Sequence, residues 1–137
     1  ASARAELGLG ALLQRRFDAA QAHLGTALAH VVQTGDAERE AVLRASLAWV
    51  YAEQGDEPAA EPELQAALAL DAQRAVNDAD FGRALEGIAE VDTYLGRRLR
   101  AAQLLQRAAD VMAALGQPAE AERLHRKRLL LNPRGLR

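Results

Sequence analysis

Stretches rich in alanine and leucine run along this chain, and short polar signals break them at a nearly constant interval. The breaks are TGD at 34–36, QGD at 54–56, LGR at 95–97 and LGQ at 115–117. RRF at 15–17 holds the equivalent first position without glycine. Glycines 35 and 55 lie 20 residues apart, and so do 96 and 116. The missing beat falls near QRAVNDAD, 73–80, the most polar linker in the chain. Glycine just past a helix end accepts the left-handed conformation that closes it, and a following aspartate caps the next helix. The pattern predicts seven helices, near 2–14, 17–34, 37–54, 57–74, 80–95, 98–115 and 118–131.

Composition narrows the class. Alanine (32) and leucine (22) fill 54 of 137 positions, against seven valines, one isoleucine and five aromatic residues. Alanine and leucine cost least in a helix, whereas strands favour β-branched and aromatic side chains. The expected fold is all-α. Two successive helices form a hairpin, so the structural period is about 40, in the range of helical solenoids.

Aligning three hairpins shows what recurs. Leu7–Gly8 precedes Ala20, Leu24 and Ala27. Leu47–Ala48 precedes Gly55, Ala60, Leu64 and Ala67, and Ile88–Ala89 precedes Gly96, Ala101, Leu105 and Ala108. A small residue at the eighth and twentieth places lets two helices cross closely. This phase resembles the tetratricopeptide repeat, with a large–small pair at places 7–8, glycine at 15, alanine at 20, bulk at 24 and alanine at 27. The resemblance covers essentially the whole chain as about three and a half repeats. These lie near 1–36, 37–76 and 80–116, with a capping helix at 118–131, in one domain spanning 1–137. It departs from the motif at place 4 (Arg4, Arg44, Leu85), at place 11 (aromatic only at Tyr51) and at place 32 (Val32, Ala72, Ala113). The stretch 84–116 is similar to the long-period arrays of LuxR-, MalT- and SARP-type bacterial transcription regulators.

The resemblance implies a right-handed α–α superhelix whose first helices line a concave binding face. Carried residue by residue, that face holds Ser2, Ala5, Leu9, Leu12 and Leu13 in the first repeat. The second repeat adds Val42, Ala45, Trp49, Ala52 and Glu53, and the third adds Arg83, Glu86, Glu90, Thr93 and Tyr94. Leu9, Leu12, Val42, Trp49, Glu53, Arg83, Glu86, Glu90 and Tyr94 are the candidate contacts for a peptide or partner protein, apolar at one end and acidic at the other. Trp49, the sole tryptophan, is either an interface anchor or the filling of a gap between repeats.

Proline and charge raise local questions. Pro58 suits a first helical turn, but Pro62 falls four residues later, so the helix near 57–74 either starts late, near Glu61, or kinks; the common phase of Ala60, Leu64 and Ala67 favours the kink. Net charge is −2, yet residues 1–94 carry −9 and residues 95–137 carry +7. The final stretch ERLHRKRLLLNPRGLR, 122–137, holds six basic residues and no aromatic for stacking bases. Basic residues also suit a helix C-terminus, and Glu122 pairs by spacing with Arg126. A structural cap is the expectation here, ahead of contact with an acidic partner and of direct nucleic-acid binding. By alternation 118–131 is a first helix. Its residues fit second-helix places better, setting His125 and Arg128 where bulk and alanine belong, with Arg128 then reaching for water. The charge asymmetry also permits head-to-tail contact between copies.

No enzyme is expected. There is no cysteine, and His23 and His30 stand seven apart, so neither a metal site nor another cofactor is anticipated. Glu86 and Glu90 form a carboxylate pair without a nearby histidine, read as a solvated acidic face. No apolar run reaches membrane-spanning length. The start, ASARAELGLG, lacks a signal-peptide pattern and opens inside a helical pattern, as an excised fragment would. The expected location is cytoplasmic.

Overall fold

The computed structural model describes residues 2–131, which form seven α-helices and no strand. They are α1 (Ser2–Leu13), α2 (Phe17–Thr34), α3 (Ala37–Glu53), α4 (Glu57–Gln73), α5 (Ala79–Tyr94), α6 (Arg98–Ala114) and α7 (Pro118–Leu131). The bounds differ from the sequence-based ones by one residue at most. No helix among the described residues is long and apolar enough to cross a membrane.

The twenty-residue beat is a series of helix caps. Gly55 (φ 76°) donates its N–H to Ala52 O, and Asp56 donates to Tyr51 O, the paired bonds that close a helix through a left-handed residue. Gly96 with Arg97, and Gly116 with Gln117, repeat both bonds. Arg15 and Arg16 do so as well, bonding to Leu12 O and Ala11 O, although Arg15 must take φ 64° with a side chain attached. Aspartates restart α3, α4 and α5, whereas α2 and α6 begin at Arg16 and Arg97 without a side-chain cap. Asp36 accepts from Arg39 N and Asp56 from Ala59 N, while Asp78 accepts from Asp80 N and Phe81 N.

The chain divides into two compact units, 1–76 and 77–137, and the division falls inside the polar linker. In the first unit α1 packs on α2, α2 on α3, and α3 on α4. Its core gathers Leu12, Leu24, Leu28, Val31, Leu43, Leu47 and Val50. In the second unit α5 packs on α6 and α6 on α7, burying Phe81, Leu85, Leu105, Val111 and Leu124.

The recurring places of the second helices are buried, whereas Leu7 of the first large–small pair is 56% exposed. Ala20, Ala60 and Ala101 are at most 8% exposed, and Leu24, Leu64, Leu105, Ala27, Ala67 and Ala108 at most 1%. At Gly8 an added Cβ would stand 2.7 Å from Leu24 Cγ, so α1 and α2 cross where only glycine fits. The α4 question resolves against a late start. The helix begins at Glu57 with Pro58 in its first turn and runs through Pro62. In α7, Ala121 and Leu124 face inward, while His125 and Arg128 are half-buried. The Nε of Arg128 is buried. Pro133, Arg134 and Arg137 lie outside the described residues.

Candidate partner-binding surfaces

In the first unit most of the expected contact residues serve the fold. Leu12 (2% exposed) and Val42 (7%) are interior, so neither offers surface to a ligand. Helix pairing consumes these side chains, because an apolar face left open would stay in water. Leu9 and Trp49 are half-buried and pack against the core. The indole N–H of Trp49 donates to Glu53 Oε2 at 3.0 Å, and Glu53 Oε1 accepts from Arg15 at 3.1 Å. The Arg15 guanidinium also lies 5.1 Å from the centre of the Phe17 ring. Trp49 and Glu53 therefore link α3 to the α1–α2 turn, and the polar edge of the indole is already occupied. Ser2's side chain lies outside the described residues.

In the second unit the reading of Glu86 and Glu90 as a solvated acidic face holds for Glu90, 59% exposed, and is corrected for Glu86, which is 16% exposed and gripped by α7. Arg123 of α7 grips Glu86 with both terminal nitrogens, each at 2.8 Å, and Lys127 donates to the same carboxylate at 2.8 Å. Lys127 also reaches Glu90 at 2.9 Å, and Arg123 extends the network to Glu120. The Arg123 guanidinium, aided by Lys127 and opposed by burial, holds the Glu86 carboxyl at about 2. The same bonds raise Arg123 above the usual arginine value. The basic stretch thus owes two of its charges to α5, and Arg126 pairs within α7 with Glu122 at 3.7 Å. Arg83 is exposed and paired with Asp80 at 2.6 Å.

Two features of this unit remain open to a ligand. Tyr94, at the end of α5, is 89% exposed. One helical turn before it, a pocket of about 340 Å³ is lined by Ala89, Glu90, Thr93, Leu105, Lys127, Leu130 and Leu131. Its walls are mainly apolar, and the Glu90–Lys127 ion pair belongs to its lining. Glu90, Thr93 and Tyr94 follow the i, i+3, i+4 spacing of one helix face. The pocket needed α7 in place, so periodicity in α5 alone could not reveal it.

Sequence reading missed one ionic site. Asp92 is 1% exposed, and Arg100 holds its carboxylate through Nε at 2.7 Å and a terminal nitrogen at 2.8 Å. Arg97 adds a longer contact at 3.5 Å, and its backbone N–H donates to Asp92 O at 2.7 Å. The available signal was an acid at the place where the second repeat carries Tyr51, followed by arginines five and eight residues on.

His23 Nδ1 accepts from Arg4 at 2.9 Å. No group of three or more metal-ligating side chains occurs among the described residues. No protein-family model and no curated protein matches the chain.

Proposed function

We propose that the chain is a non-catalytic protein–protein interaction module, a tetratricopeptide-like array of about three and a half repeats wound as a right-handed superhelix. It takes a peptide or partner protein against its first helices, in the cytoplasm, as part of a bacterial transcription regulator. The apolar pocket beside exposed Tyr94 carries this reading. A cavity of that size accepts one large apolar side chain, and an exposed tyrosine next to it supplies rigid contact area with a polar tip. Nucleic acid is the weaker partner, because Arg123 and Lys127 already serve carboxylates of the same unit. The regulator context rests on the resemblance of residues 84–116.

A second reading, a structural spacer or self-association segment of a larger protein, draws support from Trp49, whose packing and indole bond are internal to the first unit.

Selection from a random peptide library, followed by anisotropy titration of the selected peptides, tests the first reading. Tyr94→Ala and the pocket-filling Thr93→Trp should each weaken binding about 30-fold, the loss of a hot-spot contact, with helical content unchanged. Selected peptides indifferent to both variants, or no selectable peptide, would refute it. Trp49→Ala should lower thermal stability; if it leaves peptide affinity intact, Trp49 is structural only.

A further inference from the structure

The outer face of α7 has no covering element among the described residues, and its sequence complements itself when read backwards. Pro118, Ala119, Glu122, Arg126, Leu129 and Leu130 fall on one side of the helix at 100° per residue, opposite buried Ala121 and Leu124. Leu129 is 55% exposed and Leu130 is 81% exposed, a large apolar surface for the end of one short helix. Glu122 and Arg126 are each about two-thirds exposed, and their mutual contact is long, at 3.7 Å. So weak a pair gives up little when its members find other partners.

We propose that this face pairs two copies of the chain, with the two α7 helices antiparallel about a two-fold axis at the level of Leu124. That single centre puts Glu122 opposite the second copy's Arg126, and Arg126 opposite its Glu122. It also sets Leu129 and Leu130 against the second copy's Ala119 and Pro118. Large residues meet small ones, so the helices approach closely, and each ion pair is made twice. A two-fold contact requires such self-complementarity; an unrelated partner would have no reason to match it. The contact is confined to a helix of 14 residues, so association is weak, with a Kd on the order of 100 µM. Leu130 also lines the pocket beside Tyr94, but the pairing is carried by Glu122 and Arg126, which lie outside that lining.

Sedimentation equilibrium on the full chain, from about 10 µM to 1 mM at low salt, tests it over the range where such contacts populate. The wild type should fit a monomer–dimer equilibrium that weakens as salt is added. Glu122→Arg and Arg126→Glu should each raise Kd at least about tenfold by setting like charges opposite one another. An equimolar mixture of the two variants should dimerise again, as should the double variant carrying both changes. All of these positions are exposed, so circular dichroism should not move. A strictly monomeric chain to 1 mM would overturn the proposal. So would a dimer indifferent to the single variants, or a loss that the mixture and the double variant fail to restore.

Discussion

The two units solve one packing problem by opposite chemistry. At the same place in the repeat, the first unit carries Tyr51 and the second carries Asp92. Tyr51 is half-buried and packs against the first core; burial, with Glu63 and Asp56 nearby, raises its phenol pKa. Asp92 is fully buried and survives there because Arg100 grips it with two short bonds from the first turns of α6. The aromatic solution is tolerant, since its contacts are many and individually weak. The ionic solution is brittle, because a buried carboxylate depends on the arginine bonds that neutralise it.

The largest test of this contrast is Asp92→Ala. It should destabilise the second unit by about 3 kcal/mol, since two short bonds to a buried carboxylate would be lost from a partly buried arginine. Tyr51→Phe keeps the ring and should cost under about 0.5 kcal/mol. Urea unfolding of both variants measures the difference, and equal losses would erase the distinction.

Where the units are alike, equivalent changes should act alike. Ala60→Leu in the first and Ala101→Leu in the second each overfill a helix crossing and should cost about 1–3 kcal/mol. Exposed Gln103→Leu should cost almost nothing. A midpoint shift at Gln103 as large as that at Ala60 would show the repeat phase to be misassigned.

A further contrast concerns the carboxylates of the first helices. Glu53 has one arginine, whereas Glu86 has Arg123 and Lys127. Glu86→Gln should cost about 1 kcal/mol at neutral pH, discounted because Arg123 is well exposed. Because folding lowers the Glu86 pKa from its ordinary value near 4.5 to about 2, its contribution is complete above pH 4.5. It declines as pH falls and is gone below pH 2. Thermal midpoints of wild type and Glu86→Gln should therefore converge between pH 4.5 and 2, and a gap that persists at pH 2 would contradict the assignment.

The sequence by itself determined the helices and their spacing, because the forces that set them are local. Alanine and leucine select the helix, and glycine after α2, α3, α5 and α6 supplies the left-handed residue. Aspartate satisfies the first free N–H groups of α3, α4 and α5. Even Arg15, lacking the glycine, was legible as a turn from its place in the beat. The inward positions followed as well, since a repeated small residue has few uses other than a close crossing. Which surfaces remain free was decided by tertiary structure. Leu12 and Val42 are apolar whether they line a binding face or fill a core, and only packing chooses. Glu86 and Glu90 read as solvated acids because their partners, Arg123 and Lys127, lie 37 to 41 residues away in the chain. The pocket beside Tyr94 needs three helices at once. Burial of Asp92 depends on Arg100 arriving from α6, and only the tertiary fold brings that charge to it.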